Sequence, residues 1–192
     1  QVKNNGEVAQ VYVKDSHKGI IDKETWNAVQ EEFDRRKKFM QRHGTDRYSY
    51  GSECYPFCEK IFCGECGSLF TRHSWKSRGI VQWQCKNHRK DGKVACTNAY
   101  VDNANLENGF VKAFNRLVSE REKHMERWNA MKADGTPLEK IRAVQMMEAT
   151  ENGQLQKYVP EAAQLVLEEI TIFGAKKYEF AFLEGSRVKV SV

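Results

Sequence analysis

Four cysteines between residues 63 and 96 constrain this chain more than any other feature of its sequence. Two lie in a Cys-Gly-Glu-Cys-Gly turn over residues 63–67, and two follow a stretch rich in aromatic and basic residues. A Cys-x2-Cys turn places two thiolates on one side of a tight loop, and the glycines at 64 and 67 permit the positive φ that points backbone N–H groups at sulfur. A structural zinc site takes all four ligands from the protein. The spacing therefore predicts one Zn²⁺ site formed by Cys63, Cys66, Cys85 and Cys96.

The cysteines admit other interpretations. His88 follows closely after the third cysteine, so it replaces Cys96 in an alternative Cys3His set. Cys54 and Cys58 form a further Cys-x3-Cys pair, which we interpret as inert buried thiols in preference to a replacement ligand or a second metal site. A disulfide framework requires an oxidising compartment and is typical of small secreted domains. A chain of 192 residues without a secretory signal does not fit that class.

The positive charge of the chain is concentrated on the cysteine-rich stretch. The chain carries 31 lysines and arginines against 26 aspartates and glutamates, a net charge of +5. Residues 60–93 hold eight of the basic and two of the acidic side chains, a net of +6, so the remainder, with 23 basic and 24 acidic, sums to −1. Charge concentrated on one small module is typical of nucleic-acid binding, although a solvated basic face gives the same pattern.

The overall composition is typical of a folded protein of one or two domains. Hydrophobic residues make up 40% of the chain and include ten Phe, seven Tyr and four Trp, enough for real cores. There is no run of eighteen apolar residues and no secretory pattern, so we expect neither a membrane span nor a signal peptide, and the cytoplasm is the expected compartment. The chain begins at Gln1 and not at a methionine, and we expect it to be a fragment of a longer protein.

Periodicity predicts a strand, a helix and a linker in the first third of the chain. Alternation over residues 7–14 suits a strand, and Asp22 is the expected N-cap of a helix that runs to about Lys38. Four apolar residues of this helix recur at helical spacing and predict a buried face opposite the charged residues 31, 32 and 34–38. These four are Trp26, Val29, Phe33 and Met40. Residues 41–58 are mostly polar and aperiodic and form the expected linker.

The remainder predicts a β-ribbon elaborated by helices and closed by further strands. Strands over residues 69–75 and 80–86 form a hairpin that joins the halves of the metal site, and a short strand follows Cys96. A helix that starts at Asp102 or Asn103 and breaks near residues 133–135, then a second that starts at the Thr136 and Glu139 capping box, predict an antiparallel helical hairpin over about residues 103–150. A third helix over residues 160–169 and alternating strands to residue 192 are expected to complete the sheet begun near the zinc. The expected inner side of the hairpin carries Leu106, Phe110, Ala113, Leu117, Met125, Trp128, Met131, Ile141, Val144 and Met147.

In this order the motifs resemble the C-terminal part of large serine recombinases. The resemblance rests on Asp15-Ser16-His17-Lys18-Gly19-Ile20-Ile21-Asp22 with Trp26 and Gln30, on the Cys63 to Gly67 turn, on Trp83-Gln84-Cys85 and Cys96-Thr97-Asn98, and on closing strands around Phe180 and Gly185. It covers nearly the whole chain. Cys54 and Cys58 depart from the pattern, and the helical hairpin is shorter than the coiled-coil insertion of many phage integrases, which leaves the mode of synapsis open.

The resemblance implies an α+β fold and a division into three parts. Residues 1–40 become the C-terminal part of a mixed α/β recombinase domain, residues 41–58 a linker, and residues 59–192 a zinc β-ribbon domain with a helical hairpin insertion and C-terminal antiparallel strands. The implied function is recognition of the attachment site by a site-specific recombinase during DNA integration or excision of a mobile element. The implied partners are double-stranded DNA and other recombinase subunits, a dimer on each site and a tetramer in synapsis, in the cytoplasm and from a bacterial or phage gene. In this family a separate resolvase-type domain carries the serine nucleophile, so no catalytic residue is expected here.

The basic residues around the hairpin are the expected DNA contacts. A two-stranded ribbon is narrow enough for a major groove about 12 Å wide, and one guanidinium donates two hydrogen bonds to a guanine, so Arg72 and Arg78 are the expected base readers. Trp83 is expected in the core, whereas Trp75 lies next to the turn and is expected to contact sugar or a thymine methyl. The expected phosphate contacts are Lys76, Lys86, Arg89, Lys90 and Lys93.

Two functions of other classes compete with DNA recognition. The first is a zinc-ribbon protein-interaction module with the helical hairpin as its docking surface and the basic charge incidental. The second is a zinc enzyme, which the sequence disfavours because four protein ligands leave no coordination position for water.

Overall fold

The computed structural model describes residues 18–45, 55–75, 77, 79–90, 93–98 and 100–192, together with Gly6, Ala9 and Val11. For Arg89, Lys90 and Val94 it describes the backbone alone. Most of the predicted strand over residues 7–14, the middle of the predicted linker, Cys54, Lys76 and Arg78 lie outside the described residues.

Helices and strands mix along the chain, which confirms the predicted α+β class. Over the described residues the order is α1 (Lys23–His43), β1 (Ile61–Cys63), β2 (Phe70–Trp75), β3 (Ile80–Cys85), β4 (Arg89–Lys90), β5 (Lys93–Val94), β6 (Tyr100–Asp102), α2 (Asn103–Ser119), α3 (Arg121–Asp134), α4 (Pro137–Ala149), α5 (Pro160–Val166), β7 (Leu167–Ile172), β8 (Lys177–Phe182) and β9 (Arg187–Ser191). The third helix is therefore shorter than predicted, because residues 167–169 already belong to β7.

The strands of the described residues form three sheets. A four-stranded sheet has the order β1-β7-β8-β9, in which β1 pairs parallel with β7 and the other pairs are antiparallel. The ribbon proper is the antiparallel sheet β2-β3-β6, and β4 and β5 form a small hairpin of their own. The C-terminal strands thus complete the sheet of β1, the strand that ends at the first zinc-site cysteine, as predicted.

Helix α2 covers the four-stranded sheet and forms the main core with it. Its apolar side is fully buried with the aromatic residues of β8, and the residues concerned are Leu106, Phe110, Phe114, Leu117, Tyr178, Phe180 and Phe182. Gly109 allows the close approach, because a Cβ there would lie 3.0 Å from the Tyr178 ring and 3.1 Å from the Phe180 ring. The same core continues to the ribbon through Phe70, Trp83 and Val101.

The predicted long helix is two helices, which corrects the sequence interpretation. Helix α2 ends at Ser119 and α3 begins at Arg121, with no glycine or proline at the break. Arg121 donates to Thr150 Oγ1 at 3.1 Å and to the Met147 carbonyl at 3.3 Å, so it ties the start of α3 to the end of α4. The antiparallel hairpin is therefore α3–α4, while α2 stays on the sheet.

The start of α4 agrees with the sequence, but its buried side does not. Thr136 and Glu139 form the predicted capping box, with Pro137 in the first turn. Ala143, Met146 and Thr150 are buried, whereas Ile141 is 44% exposed and Val144 and Met147 are only partly buried. The buried side of α4 therefore lies about one residue away from the predicted side, and that prediction was wrong.

Helix α1 packs through its charged side, which contradicts the predicted buried face. Its N-cap is Asp22, as predicted, and it continues to His43, where Gly44 ends it with φ +59°. Ala28 and Phe39 are buried, but Trp26 is 54% and Phe33 58% exposed. The apolar pattern of this helix therefore does not mark its contact with the rest of the described chain.

Ion pairs from distant parts of the chain account for this orientation. The Glu32 carboxylate accepts a hydrogen bond from the Arg142 guanidinium of α4 at 2.8 Å, and the Arg35 guanidinium donates to Glu168 at 2.9 Å. Glu31 accepts the backbone N–H of Leu138, at the start of α4, at 3.0 Å. The division at residues 40, 58 and 59 stays a prediction, but α1 is docked on α4 and β7 within the described residues.

At the end of α1 an aromatic and ionic contact adds to the docking. His43 stacks on Phe62 of β1 with 3.6 Å between ring centroids, and its Nε2 lies 2.8 Å from a Glu169 carboxylate oxygen.

No described helix combines the length and apolar character that a membrane span requires.

Candidate metal centre and nucleic-acid interface

The structure brings the sulfurs of Cys63, Cys66, Cys85 and Cys96 together. All four lie within 4.8 Å of one another, with 3.6 Å between Cys63 and Cys96 and 3.5 Å between Cys66 and Cys85. A tetrahedral zinc with Zn–S bonds of about 2.3 Å holds its sulfurs about 3.8 Å apart. The thiols are therefore already close to the separation that such an ion imposes.

Two turns present the sulfurs from opposite sides. In the first, the Cys63 N–H donates to the Ser68 carbonyl at 2.8 Å and the Gly67 N–H donates to the Cys63 carbonyl at 2.9 Å. Gly67 has the positive φ that the sequence predicted, at +71°. In the second, the His88 N–H donates to the Cys85 carbonyl at 2.9 Å directly after β3. The turn after β1 thus presents Cys63 and Cys66 and the turn after β3 presents Cys85, while Cys96 reaches the same point from the loop before β6.

Gly64 is a glycine for a different reason from the predicted one. Its φ is not positive, but a Cβ there would lie 2.5 Å from the Phe173 ring and 3.0 Å from the Ile172 carbonyl oxygen. The Gly64 N–H donates to that same carbonyl at 2.8 Å. The residue therefore lets the cysteine turn lie directly against the end of β7.

Two polar residues that the sequence analysis did not assign support the cysteines. The buried Asn98 amide donates to Cys63 Sγ at 3.4 Å and to the Ile172 carbonyl at 2.6 Å. Glu65 accepts a hydrogen bond from Thr97 at 2.7 Å, which lowers the pKa of this exposed carboxyl, and it lies 3.5 Å from Cys96 Sγ. The sequence signal for these supporting residues is the Cys-Thr-Asn run at residues 96–98, in which two polar side chains directly follow a predicted metal ligand.

The four thiols cannot all lose their protons without a cation. Burial and the neighbouring sulfurs raise the pKa of Cys85 and raise that of Cys96 to about 12. Burial also opposes ionisation of Cys66, but hydrogen bonds from Ser68 and from neighbouring thiols outweigh it and bring its pKa to about 7. A divalent cation is the group that stabilises four thiolates in this space, because metal binding releases the thiol protons. The donor set fits zinc, and the four cysteines would hold it in a closed site.

His88 and Cys58 lie outside this cluster. The Nδ1 atom of His88 donates to the Cys96 carbonyl at 2.9 Å, and its ring makes an edge contact with Tyr100. The histidine therefore braces the loop that carries the fourth cysteine. Cys58 is a free, half-buried thiol whose pKa is raised by burial, as expected of a thiol without a ligand role.

The predicted DNA contacts occupy different positions on the ribbon. Arg72 lies on β2 with its guanidinium 3.9 Å from the centre of the Tyr55 ring, stacked against this chain. Lys86 is exposed in the turn after β3. The backbone of the β4–β5 hairpin carries Arg89, Lys90 and the exposed Lys93, with Lys90 opposite Lys93. Three predicted phosphate contacts therefore lie on one short hairpin beside the cysteines.

The outward face of the ribbon presents aromatic rings and amides. Trp75 is 41% and Tyr100 47% exposed, and the His73 ring stacks beside Trp75. On the same face the Gln84 amide donates to the Tyr100 hydroxyl at 3.0 Å, and the Gln82 amide donates to Asp102 at 2.8 Å. Trp83, on the opposite face, is buried and donates to Asn103, as its predicted core role requires.

Lys60 does not belong to the basic surface. It is buried and its ammonium donates to the Leu167 carbonyl at 2.8 Å, and burial lowers its pKa to about 8. Without it, residues 61–93 carry seven basic and two acidic side chains, a net of +5.

Comparison with known proteins is consistent with this geometry. Residues 56–115 match the family model described as the recombinase zinc beta ribbon domain, which is found in large serine recombinases. No curated protein and no solved structure matches the chain. The matched segment contains all four clustered cysteines, the ribbon sheet and most of α2, about a third of the chain. This stretch is therefore similar to a recombinase zinc ribbon, which supports a recombinase-associated role.

Proposed function

We propose that this chain is the DNA-binding C-terminal region of a site-specific serine recombinase that recognises the attachment site when a mobile element integrates or is excised. Double-stranded DNA and further recombinase subunits are its partners, in the bacterial cytoplasm. Strand cleavage and joining belong to a resolvase-type domain outside the described residues. Zinc has a structural role here, because the four cysteines would complete its coordination.

The observation that carries this proposal is that the recombinase zinc-ribbon match coincides with the converged cysteines. The metal site fixes the end of β3 and the loop before β6, so the β2–β3 hairpin projects from a rigid base. Two paired strands lie about 4.8 Å apart, which suits insertion into a major groove about 12 Å wide. The β4–β5 hairpin next to that base carries the exposed Lys93.

The outward face of the ribbon is the surface that we assign to base contacts. Gln82 and Gln84 project from alternate positions of β3, and an amide side chain recognises adenine through two hydrogen bonds. Trp75 is positioned for apolar contact with a thymine methyl or with sugar. Arg72 reaches bases only if its guanidinium leaves the Tyr55 ring. Arg72 also lies on the face of the buried Trp83, whereas both glutamines lie on the outward face, which makes the amides better candidates for base reading.

Removal of two lysines next to the metal site is expected to weaken DNA binding with a defined salt dependence. In the double variant Lys86→Ala/Lys93→Ala, two phosphate contacts are lost. The slope of log K against log salt for a duplex should therefore fall by roughly 1.8, at about 0.9 per contact. Fluorescence anisotropy of a labelled duplex at several salt concentrations measures this slope.

The matched control carries the same change of charge elsewhere. Lys132 and Lys157 are exposed and lie on α3 and in the loop before α5. Lys132→Ala/Lys157→Ala is expected to keep the slope of the unmodified chain. Equal slopes for the two double variants would show that residues 86 and 93 do not contact DNA.

A second candidate function, a protein-interaction module, is favoured by one observation. Trp26 and Phe33 expose more than half of their surface on one side of α1, beside Val29. Exposed apolar clusters mark interaction sites. If the chain shows no salt-dependent duplex binding at all, this second function becomes the better account.

A further inference from the structure

A basic cleft lies at the elbow between α2 and α3, away from the metal site. It has a volume of about 530 Å³ and is bounded by the end of α2, the first turns of α3, the turn between β8 and β9, and β9 itself. We call it the elbow cleft. Its basic residues are Arg116, Lys123, His124, Arg127, Arg187 and Lys189.

The charge of the elbow cleft is unbalanced. Five lysine and arginine side chains line it against two carboxylates, Glu120 and Glu179, a net of +3 with the histidine neutral. Glu179 is engaged by Arg187 at 2.9 Å and by Lys189 at 3.7 Å, and Glu120 is engaged by Arg116 at 3.2 Å. The two acidic groups therefore leave the remaining cations uncompensated.

Three of the basic residues have hydrogen-bond donors to spare. In the described part of the chain the side chains of Lys123 and His124 make no hydrogen bond, and both are close enough to lower the pKa of Glu120 after its main partner Arg116. Arg127 pairs with no carboxylate of a described residue. It donates to the Glu184 carbonyl at 2.5 Å and to Ser186 Oγ at 3.3 Å. A guanidinium has five N–H donors, so these two bonds leave three.

The cations are held in position before any ligand arrives. The β8–β9 turn fixes Arg127, and Gly185 lies so close that a Cβ there would be 3.2 Å from its guanidinium. Arg187 is fixed by Glu169 at 2.8 Å as well as by Glu179. His124 stacks on the buried Trp128 ring with 5.5 Å between centroids. Donors that are ordered in advance lose little entropy when they bind an anion.

We propose that the elbow cleft is a phosphate-binding site. Phosphate presents several oxygen acceptors and charge in a small volume, and arginine and lysine bind it through short charge-assisted hydrogen bonds. The Lys123, His124 and Arg127 side chains lie within five residues on α3 and line the same cleft, so they can donate to one group of this size.

The phosphate has two possible sources, a DNA backbone or a free phosphate compound, and the first rests on the proposed function. Helix α2 has 17 residues and spans about 25 Å from the ribbon strand β6 to the elbow. That distance corresponds to about seven base pairs of duplex at 3.4 Å each. A duplex held by the ribbon therefore extends far enough to reach the cleft.

The test compares two double variants of the full chain with two probes. Lys123→Ala/Lys189→Ala removes two exposed cations from the cleft, and Lys132→Ala/Lys157→Ala removes two exposed cations elsewhere. One probe is inorganic pyrophosphate, titrated by calorimetry, and the other is a labelled 40-base-pair duplex, titrated by anisotropy at several salt concentrations. Circular dichroism and the unfolding midpoint in urea verify that both variants fold.

For a DNA source, the cleft variant is expected to lower the salt slope by roughly 1.8 while the control keeps it. For a free phosphate source, pyrophosphate binding weakens by at least about tenfold in the cleft variant alone, and the duplex slope does not change. Either result supports the phosphate site. If the two variants behave alike with both probes, the proposal is overturned.

These outcomes separate the cleft from the proposed function. A chain that does not bind duplex but binds pyrophosphate through the cleft keeps the phosphate site and loses the recombinase interpretation. A chain that binds duplex with equal slopes in both variants, and binds pyrophosphate equally, keeps the DNA function and loses the phosphate site.

Discussion

Removal of zinc is expected to unfold residues 60–101, which hold the ribbon and β1, while strands β7–β9 and helix α2 keep their structure. The ribbon sheet buries few large side chains of its own, chiefly Phe70, Trp83 and Val101. In small zinc modules the metal contributes an apparent 10–16 kcal/mol of folding free energy, roughly, so its loss removes most of the local stability. By contrast, β7–β9 and α2 share a large aromatic core. Amide hydrogen exchange before and after chelation measures both regions separately.

Two substitutions define which side chains hold the metal. Loss of a hydrogen bond that supports a metal ligand lowers metal affinity by roughly 10–100-fold. Cys96→Ser removes a ligand itself, so we expect it to weaken zinc binding by more than that. His88→Ala is expected to keep about one zinc per chain, because His88 Nδ1 faces the Cys96 carbonyl. Elemental analysis of both purified proteins gives the answer. Loss of zinc in His88→Ala with retention in Cys96→Ser would favour the Cys3His set instead.

Acid is expected to loosen the docking of α1. Burial alone raises the pKa of Glu32, but Arg35, Arg36 and Arg142 outweigh it and hold that pKa at about 2. Glu169 is likewise held at about 2 against its burial, by His43, Arg187 and Arg42. Each folded pKa lies below the ordinary value of 4.5. The stabilisation is therefore complete above pH 4.5 and is lost as the pH falls through 2, at roughly 3 kcal/mol for each group.

The comparison of Glu32→Gln with the unmodified chain isolates one of these groups. The amide cannot carry the charge, so the free energy of unfolding should drop by roughly 3 kcal/mol at pH 7, and the difference should fall by more than half by pH 3. Glu126→Gln, at an exposed glutamate of α3, is the control and should change little. Urea unfolding across this pH range provides the data. A difference between Glu32→Gln and the unmodified chain that does not depend on pH would show that α1 docks by other contacts.

Local sequence patterns predicted the parts of this fold that depend on local chemistry. The capping box of α4, the Asp22 cap and the hairpin between the cysteines follow from neighbouring residues and were found where expected. The convergence of the four sulfurs followed from cysteine spacing, because a tight turn and a hairpin leave few other arrangements.

The errors arose where distant residues decide the structure. The apolar face of α1 was predicted to be buried, yet Arg142 and Glu168, more than a hundred residues away, pair with its charged side. Gly64 was explained by its own φ, whereas Phe173 requires the missing side chain. The break at Glu120 has no local signal, since it depends on Arg121 reaching the end of α4. Periodicity and turn propensities contain no information about such contacts.

The central claim, that a zinc-held ribbon recognises DNA, is tested most directly by selection of duplexes from a random pool. The zinc-loaded chain is incubated with the pool at moderate salt, bound duplexes are recovered over several rounds, and Cys96→Ser is carried through in parallel. We expect the zinc-loaded chain to enrich one sequence motif and Cys96→Ser to enrich none. The claim is contradicted if the zinc-loaded chain recovers duplexes without enrichment of any motif, or if both proteins enrich the same motif.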